Sequence, residues 1–294
     1  MLKVKERRPK ISVVIPVYNS INDLKRALQS VLWQTFQDFE IVVVDDGSEE
    51  DVKHVCDAFK DDRIRYLRND VHVNANVARN RGLREAQGGY IAMLDADDEF
   101  LPGHLERRLK KMEEGECDGI FGSAVIFDGK KERVKKSRFL SGNETMADYL
   151  LTDGFCPTPS HFYRARAARK VMWDEDLWRN QDYDFSIRFA ERFVFKCDPG
   201  PTVRVHWETG HKQKLGEVHF RSQKRFIEKH KKKISKPALV NYFYAMKKEA
   251  EETGNSDALR YYTEKLREAA PGLKLPRYLL GVKLRAVVNR VKML

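Results

Sequence analysis

Short hydrophobic runs alternate with amphipathic stretches over the first 127 residues of the chain. The runs predict buried strands, and the stretches between them, whose apolar residues recur every three or four positions, predict helices. The predicted strands are 11–18, 39–48, 63–69, 90–95 and 118–127, and the predicted helices are 21–34, 50–60, 76–89 and 102–115. Buried strands that alternate with helices form a mainly parallel sheet covered on both faces, with right-handed crossovers. The pattern therefore predicts an α/β fold.

The pattern is less regular beyond residue 127. A charged stretch at 128–138 predicts an exposed hairpin or loop. The later predictions are helices at 161–172 and 179–193, a short strand at 203–207, and helices from 217 to the end, with breaks at Pro237, Gly254 and 271–276. We interpret residues 1–215 as one α/β domain, divided near residue 127, and residues 216–294 as a helical extension.

The positive charge of the protein is confined to this extension. The net charge is +11, but residues 221–294 hold 19 Lys and Arg against 7 Asp and Glu, while the first 220 residues hold 36 against 37. The excess charge therefore requires an explanation that concerns the C-terminal quarter alone.

Cysteine usage and hydropathy indicate a protein of the cytoplasm. The four cysteines lie far apart, without a CxxC pair or a zinc-type spacing, and predict reduced thiols. The basic N-terminus is followed too soon by a strand-like run and Pro16 to be a signal peptide. No apolar run approaches the length of a membrane span. We therefore expect a cytoplasmic protein that is neither secreted by a classical signal nor integral to a membrane.

Acidic and polar residues follow four of the predicted strands. The segments are 16–19 (PVYN), 45–48 (DDGS), 69–70 (ND) and 95–98 (DADD). Ligands of open α/β sheets bind at the carboxyl ends of the strands, so these segments predict a ligand site. The chain has neither a GxGxxG fingerprint nor a phosphate loop. Three carboxylates at 95–98 would repel one another and a phosphate-bearing ligand, unless a divalent cation lies between them.

Four motifs, in this order and spacing, resemble those of family 2 glycosyltransferases of the GT-A fold. They are ISVVIPVYN, VVVDDGS, ARNRGLREAQGGYIAMLDADD and NQDYDFSIR. The resemblance covers about residues 10–210 and implies a Rossmann-like GT-A catalytic domain, with a donor-binding half at about 10–127 and an acceptor half at about 128–215. It implies an inverting enzyme that uses a nucleotide-sugar, most simply a UDP-sugar, together with Mn²⁺ or Mg²⁺.

The resemblance also implies roles for particular residues. Asp46 would bond the nucleobase of the donor, with Pro16 and Tyr18 near the same base. Asp97 would be the direct metal ligand and Asp95 would lie nearer the ribose or a metal-bound water. Arg79, with Asn80 and Arg81 beside it, is a candidate for donor contact, although a surface ion pair explains an arginine here equally well.

The acceptor half would supply the general base. Asp182 matches the aspartate of the family's Glu-Asp motif, but the preceding residue is Gln181, which puts in doubt the acceptor contacts of the family's glutamate. His206 stands where some relatives place a further diphosphate or metal contact. Considered alone, Asp182 would be explained as a helix N-cap and His206 as an ordinary polar residue. We expect Trp33, Trp173 and Trp178 to be core or packing residues, and Trp207 to line an acceptor groove.

The last residues of the chain predict an amphipathic helix. Leu280, Leu284, Val287, Val291 and Leu294 recur at steps of four and three, with Lys and Arg on both sides of the stripe. Such a helix fits an anionic membrane surface on the inner face of the cell membrane, with the cationic stems reaching the head groups. It fits equally well a helix packed on the protein's own domain or on a second subunit, which would make a homo-oligomer. We expect no specific nucleic-acid partner, because no aromatic interleaving accompanies the basic run at 221–236.

The sequence therefore favours a metal-dependent glycosyltransferase acting on a glycan or lipid-linked acceptor in cell-surface polysaccharide biosynthesis. A nucleotidyltransferase shares the same chemistry of acids, metal and nucleotide, but releases pyrophosphate instead of a nucleoside diphosphate. A non-catalytic protein that binds nucleotide-sugars or nucleic acid is the alternative from another class.

Overall fold

The structure, a computed structural model, describes residues 8–207 and 217–271. Its internal contacts group these residues into two compact units. The first unit holds the described residues up to Met146 and those from Phe155 to 207. The second holds Ala147–Gly154 together with residues 217–271. The contacts thus place Ala147–Gly154, which the sequence assigned to the α/β domain, with the C-terminal helices.

The first unit contains two sheets. Its strands are β1 (Ile11–Val17), β2 (Phe39–Asp45), β3 (Ile64–Arg68), β4 (Tyr90–Met93), β5 (Glu99–Phe100), β6 (Gly119–Gly122), β7 (Ala124–Phe127), β8 (Glu132–Lys135), β9 (Phe162–Arg164), β10 (Phe195–Asp198) and β11 (Val203–His206). The large sheet has the order β10-β6-β9-β4-β1-β2-β3, and β9 alone runs antiparallel to its neighbours. The small sheet has the order β5-β11-β7-β8. The predicted mainly parallel sheet is therefore confirmed.

Helices cover both faces of the large sheet. The helices of the described chain are α1 (Ile21–Leu32), α2 (Val52–Ala58), α3 (Ala75–Glu85), α4 (His104–Glu114), α5 (Met146–Thr152), α6 (Ala165–Val171), α7 (Gln181–Ala190), α8 (Glu217–His230), α9 (Lys236–Thr253) and α10 (Ser256–Ala269). Successive side chains of a strand point to opposite faces. Val13 and Ile15 of β1 accordingly share a core with α1, α2 and α4, whereas Val14 shares another with α3, α6 and α7.

Three details of this unit differ from the sequence prediction. The predicted strand 118–127 is two strands, β6 and β7, which lie in different sheets on either side of the buried Ser123. The start of the predicted helix 161–172 is strand β9, because Phe162 and Tyr163 are both fully buried, in the cores on opposite faces of the sheet. The two-residue strand β5 lay within a segment with no predicted structure. The charged stretch at 128–138 does form the predicted hairpin, between β7 and β8.

The second unit is helical. Phe226 of α8, Tyr242 of α9 and Tyr262 of α10 are buried and lie in ring contact with one another through Tyr242. Gly254 ends α9 in the left-handed conformation, at φ +70°. Pro237, which the sequence indicated as a break, lies in the first turn of α9, where a missing N–H is tolerated. Among the described helices, none is long and apolar enough to cross a membrane. The predicted amphipathic helix at 280–294 lies outside the described residues.

Candidate active site

The strand order places a crevice between the carboxyl ends of β1 and β4. The chain passes from β1 to β2 and β3 on one side and then returns to β4 on the other side of β1. Ligands of open α/β sheets bind at such a reversal. A cavity of about 280 Å³ lies here, and its lining includes six of the predicted site residues: Pro16, Tyr18, Asp46, Arg79, Asp95 and Asp97. The structure therefore brings these six residues together, and the roles assigned to them stay predictions.

Asp45 and Asp46 at the end of β2 have different roles. The buried Asp45 accepts hydrogen bonds from the Ser48 N–H at 2.8 Å, the Tyr66 hydroxyl at 2.7 Å and the Arg68 Nη1 at 2.6 Å. Burial alone would raise the pKa of Asp45, but these hydrogen bonds outweigh burial and hold the pKa below its usual range. Asp45 therefore fixes the turn, and it is the next carboxylate, Asp46, that lines the cavity.

Three groups of one loop surround the Asp46 carboxylate. Oδ1 accepts from the Asn69 side-chain amide at 2.7 Å, and Oδ2 accepts from the Val73 N–H at 3.1 Å. The His72 Nδ1 lies 2.9 Å from the same Oδ2. The His72 ring also stacks on Tyr18, with ring centroids 3.7 Å apart and planes at 17°. Sequence reasoning missed His72, although it follows the third predicted strand at the same edge of the sheet.

Arg79 connects the acidic motif to the start of α7. Its Nη2 donates to Asp95 Oδ1 at 2.7 Å, and its Nη1 donates to Gln181 Oε1 at 3.1 Å. The guanidinium carbon lies 4.8 Å from the Trp173 ring centroid, and the whole side chain is buried. Arg79 is therefore a buried cation of the cavity wall, and the alternative of a surface ion pair is wrong. Gln181, whose role the sequence left in doubt, is one of its acceptors.

Asp97 presents an exposed carboxylate to the cavity. Its backbone carbonyl accepts from the Arg26 Nη2 at 2.7 Å. Protein surrounds the carboxyl closely enough that loss of water, together with the nearby Asp95 carboxylate, raises the pKa of Asp97 to about 6. A carboxylate that ionises reluctantly next to another carboxylate is well suited to receive a cation.

His206 lies beside the acidic motif but faces Glu99. Its Nε2 is 2.6 Å from Glu99 Oε1, and its backbone N–H donates to the buried Asp98 Oδ1 at 2.9 Å. Among the residues that the structure describes, no three His, Cys, Asp or Glu side chains form a group that could hold a metal ion. The geometry thus brings Asp95 and Asp97 together and places the His206 imidazole on a different carboxylate.

The carboxylate oxygens of the acidic motif fit Mg²⁺ or Mn²⁺. Two carboxylates, Asp95 and Asp97, line the cavity, and both offer hard oxygen atoms. Mg²⁺ in nucleotide sites is usually held by one or two carboxylates, with substrate phosphates and waters completing the shell. A third protein ligand is therefore not required by the chemistry of such an ion.

Asp182 lies in the first turn of α7, outside the lining of the cavity. Its Oδ1 accepts from the Tyr183 N–H at 3.0 Å. Burial raises the pKa of Asp182, the Tyr183 N–H and Arg79 oppose that rise, and the Asp95 carboxylate adds to it. Asp182 is therefore within electrostatic reach of the acidic motif. Burial lowers the pKa of Lys135, and the Asp182 carboxylate opposes that fall. The Lys135 ammonium lies 5.2 Å from the ring centroid of the exposed Trp207.

One of the three tryptophan predictions is wrong. Trp173 is buried, at 3% exposure, and Trp178 packs edge-on against the His72 ring at 6.2 Å between centroids, but Trp33 is 74% exposed. The apolar stripe of α1 is complete with Leu24, Leu28 and Val31, so Trp33 at the end of the helix remains in water. The cysteine prediction is confirmed, because all four are buried free thiols.

The two-sided sheet with an acidic cleft at its strand reversal is a GT-A fold. The structure of Staphylococcus aureus TarS residues 1–349 has a TM-score of 0.67 and 16% sequence identity, and the match covers 89% of this chain and 81% of TarS. The same TarS fragment in complex with UDP-GlcNAc matches with a TM-score of 0.64 and 16% identity, covering 88% of this chain and 89% of that one. At this level of identity the likeness concerns the fold alone.

Residues 12–178 match the family model described as glycosyl transferase family 2, and the chain belongs to that family. An uncharacterized glycosyltransferase of Methanocaldococcus jannaschii is 32% identical over 191 residues, which are 62% of this chain and 64% of the relative. The amylovoran biosynthesis glycosyltransferase AmsB of Erwinia amylovora is 32% identical over 197 residues, 63% of this chain and 65% of the relative. The chain thus spans slightly less than two thirds of the length of both relatives.

A third relative is named for a lipid-linked acceptor. It is the GalNAc(5)-diNAcBac-PP-undecaprenol beta-1,3-glucosyltransferase of Campylobacter jejuni, which is 39% identical over 121 residues. The match covers 40% of this chain and 39% of the relative.

Proposed function

We propose that the protein is an inverting, metal-dependent glycosyltransferase that moves a sugar from a UDP-sugar to a glycan or lipid-linked acceptor in cell-surface polysaccharide biosynthesis. The observation that carries the proposal is one cavity lined by Tyr18, Asp46, Asp95 and Asp97 at the strand reversal of a family 2 chain. The UDP-GlcNAc complex of the TarS neighbour supports the donor class. The names of the Erwinia and Campylobacter relatives support the acceptor class.

The donor would lie along the lining of the cavity. The nucleobase would lie against Pro16 and Tyr18, and an N–H of the base would donate to the Asp46 carboxylate. The diphosphate would then reach the carboxyl end of β4. Asp97 and Asp95 would hold a divalent ion there, and that ion supplies charge stabilisation to the departing diphosphate. Arg79 is buried and already paired with Asp95, so its contribution is to hold Asp95 in place.

Asp182 would act as the general base. The acceptor hydroxyl gives its proton to the Asp182 carboxylate as its oxygen attacks the anomeric carbon, and the bond from that carbon to the diphosphate oxygen breaks. One displacement inverts the anomeric centre and releases a nucleoside diphosphate. Burial raises the pKa of Asp182, which makes the carboxylate a stronger base than an aspartate in water. Trp207 would form one wall for the acceptor sugar.

The test compares Asp97→Asn, Asp182→Asn and the control Asp62→Asn in the full-length protein, because Asp62 is exposed and precedes the start of β3, whereas the cavity lies at the carboxyl ends of the strands. Nucleoside diphosphate release from a panel of nucleotide-sugars is measured with Mn²⁺ and Mg²⁺. We expect Asp97→Asn to lose metal-dependent donor binding and at least about 100-fold in transfer. Asp182→Asn should retain donor binding and lose about 10²–10⁴-fold in transfer.

Two outcomes would contradict the proposal. Full transfer by Asp182→Asn would remove the base assignment. Pyrophosphate as the product would indicate a nucleotidyltransferase instead.

A further inference from the structure

The His72 ring makes the two contacts that the proposed function assigns to the nucleobase. The imidazole is a flat ring with an N–H donor, stacked on Tyr18 at 3.7 Å and placed 2.9 Å from the Asp46 carboxylate. These are the two groups to which the proposed function assigns the base of the donor. Two parallel rings at 3.7 Å are in van der Waals contact, so this face of Tyr18 cannot hold a base while His72 remains there.

We propose that His72 is an internal substitute for the nucleobase, which the donor must displace from Tyr18 and Asp46 in order to bind. The proposal rests on the proposed function, since it assigns the same cavity to a nucleotide. It adds that the site is closed by the protein's own side chain and that donor binding includes an opening step.

The backbone around His72 brings the ring to the site. Gly47 follows Asp46 and has a φ of +78°, a conformation that favours glycine. A Cβ on Gly47 would lie 2.6 Å from the His72 backbone nitrogen and 2.7 Å from the Val71 carbonyl carbon. The absence of a side chain at residue 47 therefore allows the His72 loop to approach the Asp46 turn closely.

The same loop can release the ring without disturbing the core. Residues 70–73 are exposed, and Val71 is 66% exposed, so no buried apolar residue of this segment is lost when His72 turns toward water. The ring contacts that it gives up are those with Tyr18 and with the half-exposed Trp178, whose ring centroid lies 6.2 Å away in an edge-on arrangement. The ends of the segment remain attached, because the Asn69 amide donates to Asp46 and the Asn74 amide donates to the Glu175 carbonyl at 2.7 Å. Asp46 also retains the Asn69 and Val73 donors when His72 leaves.

An internal competitor weakens the apparent affinity for the donor, because the protein binds only in the fraction of molecules whose site is open. Removal of the competitor therefore tightens binding, whereas removal of a true base contact weakens it. His72→Ala distinguishes these two roles by the sign of its effect. The matched control is His54→Ala, which removes an exposed imidazole from α2.

The experiment is calorimetric titration of the full-length protein with UDP and with UDP-GlcNAc, in Mg²⁺. We expect the Kd for UDP to fall about 3- to 10-fold in His72→Ala, to stay unchanged in His54→Ala, and to rise in Tyr18→Ala. A crystal structure of the UDP complex should show the uracil on Tyr18 and His72 turned away.

The outcomes that contradict this inference also distinguish it from the proposed function. If the wild type binds UDP and His72→Ala binds it equally or more weakly, the substitute role is wrong and the proposed function stands. A complex in which His72 is still stacked on Tyr18 has the same meaning. If neither the wild type nor His72→Ala binds either nucleotide, both the proposed function for UDP donors and this inference fall.

Discussion

The carboxylates of the cleft differ in how strongly their surroundings favour the ionised form. Asp45 is held ionised by Ser48, Tyr66 and Arg68, whereas the pKa of Asp97 and that of Asp182 are raised by loss of water. A group held ionised serves the fold. A group whose charge is poorly compensated by the protein lowers stability and is available to a ligand or a proton.

Asp182 gives a prediction on pH dependence. Its folded pKa is raised, so transfer should fall as the pH decreases through a value above the usual range of an aspartate. Above that pKa the ionised Asp182 also lowers the free energy of unfolding, because an aspartate in the unfolded chain ionises more easily than the buried one. Asp182→Asn should therefore raise the melting temperature at pH 7 while it lowers transfer by about 10²–10⁴-fold. Calorimetric melting at pH 7 checks the sign, and a lower melting temperature would contradict it.

Asp198 gives the opposite prediction. Burial alone would raise its pKa, but Arg107 and Arg108 outweigh burial and lower it. Arg108 is fully buried, so Asp198→Asn leaves an unpaired buried guanidinium and should cost about 3–5 kcal/mol of unfolding free energy. Arg107→Met is the matched control and should cost about 1 kcal/mol or less, because the Arg107 side chain is 45% exposed.

Urea unfolding measures both variants. Asp198 has a lowered folded pKa, so its contribution is present above its unfolded pKa, which is about 3.9, and is lost as the pH falls through the folded value. The difference between wild type and Asp198→Asn should therefore shrink below about pH 4. An equal cost for the Arg107 and Asp198 variants at pH 7 would contradict the role of burial.

At the scale of elements, α3 and β1 are in unusually close contact. A Cβ on Gly82 of α3 would lie 2.3 Å from Cγ1 of Val14, whose side chain is fully buried. Helix propensity alone would make Gly82→Ala stabilising by about 1 kcal/mol. We expect the clash to reverse the sign and cost about 1–3 kcal/mol in urea unfolding. Gly89→Ala is the control, because its nearest neighbour is the Lys10 carbonyl oxygen at 3.9 Å.

The hydrophobic pattern of the sequence was sufficient to predict elements whose apolar residues recur with a single period. The alternation of β1, α1, β2, α2, β3, α3 and β4 followed from apolar runs and helical stripes. It was not sufficient at Ser123, where one apolar run contains strands of two different sheets. The Ser123 hydroxyl donates to the Pro199 carbonyl, 76 residues away, and the sequence pattern does not show such a distant contact. Phe162 and Tyr163 were assigned to a helix for the same reason, since only the sheet around them shows that both faces are buried.

The site was predictable to the extent that it depends on strand ends. Asp46, Asp95 and Asp97 follow strands whose carboxyl ends meet, so topology alone brings them together. The position of His72 depends on a loop that folds back over Gly47, and no periodic pattern encodes such a contact. The orientation of His206 toward Glu99 likewise depends on the pairing of β11 with β5.

For the whole molecule, the distribution of charge gives a prediction on membrane binding. Residues 272–294 contain six Lys and Arg and no Asp or Glu. We propose that this segment attaches the protein to anionic lipid, and we expect the full-length protein to sediment with phosphatidylglycerol vesicles and not with phosphatidylcholine vesicles. Binding should weaken strongly from 50 to 500 mM salt, because screening shortens the reach of surface charges.

A variant with Lys283, Arg285, Arg290 and Lys292 changed to Gln tests the segment directly. It should lose vesicle binding and keep nucleotide binding. The matched control changes four exposed lysines of the hairpin and α4: Lys110, Lys111, Lys130 and Lys131. Equal losses in both variants would indicate a general effect of net charge.

The antiparallel strand β9 has a consequence for how the chain is synthesised. Residues 162–164 lie between β4 and β6, and β6 in turn pairs with β10 at 195–198. When the ribosome has made the chain only as far as residue 127, β4 and β6 have no strand between them and expose unpaired backbone groups. The two halves named from the resemblance are therefore not separable folding units. The sheet is complete only after about residue 198 has left the ribosome. A nascent chain stalled before β9 would leave the facing edges of β4 and β6 unpaired and prone to aggregation.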